Sequence, residues 1–354
     1  MPFKFSPSNI EEHLREDGWF ADGVHFIVDG QFGSTGKGAL AAVIARAGRQ
    51  SIEIYATNAG PNSGHTAVVG ANKIVTTQIP VGAAVARILP GPRFETYLTA
   101  GAIINAAMLQ HEVEKYGVVP TVHPCAAMIT SGHVALEQEN GSSKIAGTAK
   151  GVGAALADKV NREGNLWGRQ DMWYGYSGVL DMGDGCILHE SAQGFSLGVN
   201  EARFAPATTS RECSVQQALS DARIPLSRVR KVAMTLRTYP IRVGNTMKGY
   251  SGDYYEDQKE TSWEELGQPE ELTTVTKRVR RVFTWSWTQF IDALRTNEPD
   301  LLNVNFMDYL PVGEREPFIK KMIACYRQTL PHKKDPIVLC GFGPEIDQMG
   351  VWHD

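Results

Sequence analysis

The segment Asp29-Gly30-Gln31-Phe32-Gly33-Ser34-Thr35-Gly36-Lys37-Gly38 joins an apolar run to a helix-forming one and crowds glycines around a lysine. Free backbone N–H groups and the N-terminus of the following helix attract an anion at such a place, and glycines let the chain wrap it closely. Lys37 then sets a positive charge against the terminal phosphates of a nucleotide. The spelling is not a strict Walker A loop. Gln31 stands where the first glycine belongs, and Gly38 replaces the Ser or Thr that holds magnesium. A plain glycine-rich turn with Lys37 in solvent has the same local spelling.

Two further groups have chemical potential. Asn58-Ala59-Gly60-Pro61-Asn62-Ser63-Gly64-His65-Thr66 gathers small polar residues around one imidazole, which can act as a general acid near neutral pH or be a hydrogen-bonded loop histidine. The run Lys277-Arg278-Val279-Arg280-Arg281 suits carboxylate binding, because the planar guanidinium engages a carboxylate through two hydrogen bonds. A solvated charge run or a small nucleic-acid patch is the alternative reading.

The elements that must position these groups alternate. Apolar runs at 24–28, 52–56, 73–79, 186–189, 232–238, 301–307 and 336–340 read as strands, while 39–47, 102–116, 287–295 and 317–328 read as helices. This alternation implies an α/β fold with a mixed, largely parallel central sheet and flanking helices. The Gly-rich stretch 140–153 and the charged stretch 249–271 read as mobile functional loops. Residues 1–22 form an N-terminal extension, in which Asn9 is a candidate helix cap. Residues 23–354 form a single catalytic domain.

The chain has 354 residues, 42% hydrophobic, with a net charge of −4. That charge gives no general attraction to nucleic acid or to an anionic membrane and favours small-molecule partners. Five widely spaced cysteines without a C-x-x-C pair suggest neither a disulfide framework nor a zinc site. With no signal-peptide pattern, a reducing cytoplasm is the expected location.

Taken in order, Q-F-G-S-T-G-K-G at 31–38, N-A-G-P-N-S-G-H-T at 58–66 and Q-I-P-V-G at 78–82 resemble the adenylosuccinate synthetase family. The resemblance continues through G-T-A-K-G-V-G at 147–153, D-K-V-N-R at 158–162, E-S-A-Q-G at 190–194, R-V-G at 242–244, V-T-K-R-V-R-R at 275–281 and G-F-G-P at 341–344. It implies a P-loop-related ligase fold and a reaction in which a purine 6-oxygen takes up a γ-phosphoryl group and is then displaced by the amine of aspartate. By that resemblance Ser34 and His65 are catalytic, with His65 the general acid. The triphosphate is held by Ser34, Thr35, Gly36, Lys37, Gly38, Gly64, His65, Thr66, Phe306, Asp308, Gly341, Gly343 and Pro344. The purine monophosphate is held by Ser34, Asn62, Thr148, Gln193, Thr208 and Arg242, with Arg162 reaching in from the second subunit of a homodimer. Simple loop hydrogen bonding remains open for Thr148 and Thr208, and a helix-surface charge for Arg162. Aspartate is held by Val275, Thr276, Arg278 and Arg280. Magnesium is the implied cofactor, with Ser34 and the Gly64 carbonyl as its protein ligands.

The chain departs from that family at two places. Its usual loop carries Asp-Glu where this chain has Ser34-Thr35, and that aspartate removes the N1 proton of hypoxanthine. Ser34 is shorter and neutral, and leaves room beside the purine 2-position for the amino group of guanine. A carboxylate can also accept from that edge of guanine, so the steric argument stays open. The likeness of G-S-T-G-K-G to the viral branch, the 2-aminoadenylosuccinate synthetases, implies dGMP as substrate. The second departure is Phe306, in place of the lysine of a guanine-reading T-K-x-D motif. It favours ATP or dATP, since an aromatic ring stacks on any base; a buried strand residue is the alternative. An ordinary IMP-using synthetase and a catalytically silent nucleotide binder are the rival readings.

Overall fold

The computed structural model describes residues 3–4, 7–140, 144–169, 175–247, 249–273 and 277–353. Its centre is the strand Gly23–Asp29, every residue of which is buried. Continuous burial is what a strand covered on both faces requires, hence its unbroken apolar spelling. Side chains alternate across it: Ile27 joins one core, while Val24, Phe26 and Val28 join the other. The first core packs against helices Lys37–Ala47 and Val81–Ile88. The second packs against Trp287–Asn297 and Val312–Thr329.

Among the described residues, eleven strands make the central sheet. From Gly23–Asp29 it runs one way through Val229–Arg237, Leu301–Asn305 and Ile337–Gly341, and the other way through Cys186–Glu190, Ile52–Thr57 and Glu95–Leu98, all in parallel register. Among the described residues of this sheet, the antiparallel pairs lie at the edge where Met349–Trp352 and Phe3–Lys4 add on. The expected mixed, largely parallel sheet is therefore present. Because its strands point the same way, Asp29, Thr57, Glu190, Arg237, Asn305 and Gly341 all lie at one rim. The carboxyl-terminal rim of such a sheet is where ligands bind in open α/β folds.

Several local expectations are corrected. Asn9 lies inside the helix Pro7–Glu16, not at its cap, and its carbonyl accepts from His13 Nδ1 at 2.8 Å. The strand expected to reach Ile79 stops at Thr76. The backbone N–H groups of Thr77, Gln78 and Ile79 turn to the Glu112 carboxylate instead, at 2.6–3.0 Å. The helix expected from 102 starts at Ala106, capped by Asn105, because Ile103–Ile104 pairs with Ala127–Met128. The strand from Leu301 ends at Asn305, where Phe306 takes a left-handed φ of 60°. The last long helix starts at Val312, five residues before Pro317, and carries that proline inside it.

The 249–271 stretch buries Tyr255 and Trp263 and contributes a short strand, Glu260–Thr261. The N-terminal helix packs Ile10 and Leu14 into the first core. No described helix is long and apolar enough to cross a membrane.

Candidate active site

Asp29 ends the central strand and organises the loop beyond it. Its buried carboxylate accepts from the Gln31 and Gly33 N–H groups at 2.8 and 3.2 Å, from the Thr35 hydroxyl, and from Lys37 Nζ at 3.0 Å. Lys37 also donates to the Gln193 carbonyl at 2.7 Å. The ammonium is thus fixed before any ligand arrives, and the cost of burying it is offset by its partners. Gln31 has its own task. Its amide pairs with both backbone groups of Arg237, at 3.1 and 2.9 Å, tying the loop to the neighbouring strand.

The Walker A departure at Gly38 has a steric cause. A Cβ on Gly38 would stand 2.5 Å from the Thr66 carbonyl oxygen, so the strand His65–Val69 leaves no space for a serine there. A Cβ on Gly36, which has φ +93°, would meet Asn305 Nδ2 at 2.4 Å. Asn305 uses that contact to donate to the Thr35 carbonyl at 2.6 Å. The Thr35 hydroxyl is directed inward, to Asp29 and to Thr235 Oγ1 at 2.6 Å. Thr35 is not among the residues that line the cleft described below.

His65 is buried, with Nδ1 3.4 Å from Glu190 Oε2. Glu190 ends the strand Cys186–Glu190, and its two oxygens also accept the Val81 and Gly82 N–H groups at the start of a helix, at 3.0 and 2.7 Å. The carboxylate is anchored by the helix and orients the imidazole. Nε2 of His65 and Oδ1 of Asn62 are buried without a partner among the described residues. A buried polar atom left unpaired marks a place that a ligand can satisfy.

These residues line one cleft that is open to solvent. Of the expected site residues it brings together Ser34, Lys37, Asn62, Gly64, His65, Thr148, Gln193, Thr208, Arg242, Arg278 and Arg280. Lys37, Arg242, Arg278 and Arg280 make the lining basic, and no Asp or Glu is among the described lining residues. A chain of net charge −4 therefore presents a cationic cleft suited to phosphate and carboxylate ligands.

Ser34 is exposed in the cleft and has a left-handed φ of 55°. Its hydroxyl accepts from Arg280 Nη1 at 3.0 Å. Arg278 donates to the Gly244 and Ala146 carbonyls at 3.1 and 2.9 Å. Arg242 is spent on the backbone. It donates to the carbonyls of Ser251, Asp253 and Ala207 and stacks on Phe32, and burial pulls its pKa down to about 10. It shapes the cleft wall and stays charged at neutral pH.

The other expected residues lie elsewhere. Arg162 is exposed at the end of the helix Val152–Asn161 and does not line this cleft. Phe306, Asp308, Gly341, Gly343 and Pro344 lie outside the cleft, on the sheet rim reached through Asn305. Val275 and Thr276 lie outside the described residues.

No group of three or more His, Cys, Asp and Glu side chains able to hold a metal occurs among the described residues. Gly64 is exposed, with open space around its Cα. Single oxygen donors such as its carbonyl and the Ser34 hydroxyl fit magnesium, which keeps several waters and takes further ligands from phosphates.

Asp29, Glu190 and Arg237 were missed as functional residues by sequence reasoning. Their common signal is a charge at the last position of a strand.

Comparison with known proteins fits this geometry. The adenylosuccinate synthetase family profile matches residues 26–174. The N6-succino-2-amino-2'-deoxyadenylate synthase of Salmonella phage PMBT28 is 34% identical over 92% of this chain and 96% of its own length. The enzyme of the same description from Vibrio phage phiVC8 is 33% identical over 94% and 98%. The solved structure of the succinoaminodeoxyadenylate synthetase of cyanophage S-2L, bound to dGMP and dATP, matches with a TM-score of 0.80 and 29% identity, covering 92% of this chain and 94% of that one.

Proposed function

Since this chain belongs to the adenylosuccinate synthetase family, we propose that it is a ligase of the family's phage branch. It joins dGMP to L-aspartate with cleavage of ATP or dATP and yields 2-amino-2'-deoxy-N6-succinyladenylate, the diphosphate and phosphate. The observation that carries this reading is the cleft itself. It is lined by four cations and His65, and has the neutral Ser34 where the family's usual loop has a carboxylate.

The reaction divides among residues already placed. The 6-oxygen of dGMP attacks the γ-phosphorus as N1 gives up its proton to water, and the bond from the γ-phosphorus to the β-phosphate oxygen breaks. The aspartate amine then attacks C6, and phosphate leaves with the former 6-oxygen. Glu190 fixes the ring of His65, so Nε2 is the atom left to meet the 6-oxygen; in the protonated ring it donates there and stabilises the charge passing through that atom. Lys37 and the loop N–H groups hold the transferring phosphate. Arg280 and Arg278, with Val275 and Thr276, hold the two carboxylates of aspartate. Asn62, Thr148, Gln193 and Thr208 seat the monophosphate and base, joined by Arg162 of the partner subunit in a homodimer. Ser34 meets the guanine edge that carries the 2-amino group. The Gly64 carbonyl and the Ser34 hydroxyl would hold magnesium, which would supply neutralisation of phosphate charge. Phe306 and Asp308 form the platform for the adenine base.

The test is product formation. Purified protein with magnesium, L-aspartate and ATP is offered dGMP or IMP, and the succinylated nucleotide is followed by mass spectrometry. Conversion of dGMP is the expected result. Conversion of IMP alone assigns ordinary adenylosuccinate synthesis, and conversion of neither assigns a nucleotide binder.

A further inference from the structure

Arg237 is a buried cation that the reaction as described does not use. It ends the strand Val229–Arg237, has no exposed surface, and is pinned through its backbone by Gln31. Its guanidinium carbon lies 3.8 Å from the centroid of the Phe306 ring. Nη1 and Nη2 donate to the two Glu271 carboxylate oxygens at 3.1 and 2.5 Å, and Nη1 also reaches the Ser34 carbonyl at 3.3 Å. Glu271 is tied in turn to the arginine segment. Its carbonyl accepts the Arg280 N–H at 2.8 Å, and its carboxylate accepts the Tyr309 hydroxyl at 3.2 Å. Arg280 Nε then donates to the Leu272 carbonyl at 3.3 Å, and Nη1 to the Ser34 hydroxyl. One continuous set of contacts therefore joins Phe306, Arg237, Glu271, Arg280 and Ser34.

We propose that Arg237 is a positioning residue through which the base of the triphosphate and the substrate aspartate bind cooperatively. The inference rests on the reading above, in which Phe306 receives that base and Arg280 receives aspartate. A purine on Phe306 holds the ring against the guanidinium, an attraction that strengthens as water leaves. The guanidinium cannot follow the ring elsewhere without breaking its paired bonds to Glu271, and a buried ion pair is costly to separate. Glu271 in turn holds the backbone of Arg280. An occupied platform thus narrows Arg280 to one geometry, so less ordering remains to be done when aspartate arrives. Linkage requires the converse: aspartate tightens the triphosphate by the same factor.

The measurement is calorimetric titration of L-aspartate into the dGMP-saturated full-length protein, with and without a saturating non-hydrolysable ATP analogue. The wild type is expected to bind aspartate on the order of tenfold more tightly with the analogue present. Phe306→Leu leaves the ion pair in place and removes the ring, and Glu271→Gln weakens the relay while keeping its shape. Each is expected to reduce the effect to about twofold or less, with dGMP affinity unchanged, a pattern that mere loss of stability does not produce. Arg237→Lys, which keeps the charge but not the planar fork, should fall between them and the wild type. Wild-type coupling in both Phe306→Leu and Glu271→Gln, or wild-type aspartate affinity indifferent to the analogue, overturns the proposal. A wild type that binds dGMP and the analogue but never aspartate overturns the ligase reading, and the linkage with it.

Discussion

Ser34 and His65 separate the chemistry of this cleft from that of a generic phosphate site. A carboxylate at position 34 would sit against Arg280, which now donates to the serine hydroxyl at 3.0 Å, and would restore a base suited to hypoxanthine N1. Ser34→Asp is therefore expected to lower kcat/KM for dGMP by at least about tenfold relative to that for IMP, the order of one charge-assisted hydrogen bond. Competition assays with both nucleotides check this, and a shift toward dGMP contradicts the role given to Ser34. For the acid, His65→Ala should reduce kcat by about 10²–10⁴ with little change in dGMP affinity. Glu190→Gln should reduce kcat by less, because the imidazole remains but loses its anchored partner at Nδ1. Equal losses in dGMP binding and turnover would show that these residues hold substrate rather than act on it. His65 was legible as a candidate acid from its loop alone. Glu190 was not, because the two lie 125 positions apart, and it is the parallel pairing of Ile52–Thr57 with Cys186–Glu190 that brings the loop leading to His65 beside Glu190.

The strand–loop–helix unit from Gly23–Asp29 to Lys37–Ala47 explains why its sequence resembles a Walker loop and departs from it. The glycines, the lysine and the following helix were readable as a phosphate loop because those demands are local. The departures were readable only as differences. Gly38 answers to the strand His65–Val69, and Gln31 to the backbone of Arg237, and neither neighbour is close in sequence. Gly38→Ser, which restores the Walker spelling, should therefore not create a magnesium ligand. With its Cβ 2.5 Å from the Thr66 carbonyl oxygen, it should destabilise the fold by about 1–3 kcal/mol, the cost of overpacking. Thermal unfolding with and without magnesium checks this; a variant as stable as wild type with tighter magnesium binding contradicts it. Strand ends were misjudged for a similar reason. Residues 77–79 follow directly on a β-branched run that reads as strand, but the distant carboxylate of Glu112 takes their N–H groups.

Across the whole molecule, the parallel sheet gathers residues from position 29 to position 341 along one rim, which is why function is spread through the full length of the chain. The α/β class and the order of the central elements followed from alternating apolar runs. The antiparallel edge and the packing of the N-terminal helix into the core did not, since short strands carry little periodic signal. Arg162, exposed and outside the cleft of its own chain, is the residue whose proposed role needs a second copy. Inactive Arg162→Ala and His65→Ala variants, mixed and allowed to exchange subunits, should regain up to about a quarter of wild-type activity, because half the dimers then carry one intact site. No recovery despite exchange would place Arg162 outside catalysis in trans. The most direct test of the central claim is the crystal structure of the protein with dGMP and a non-hydrolysable ATP analogue. The predicted result places the guanine 2-amino edge within hydrogen-bond distance of the Ser34 hydroxyl and the 6-oxygen between His65 Nε2 and the γ-phosphate. A guanine seated away from both residues would contradict it.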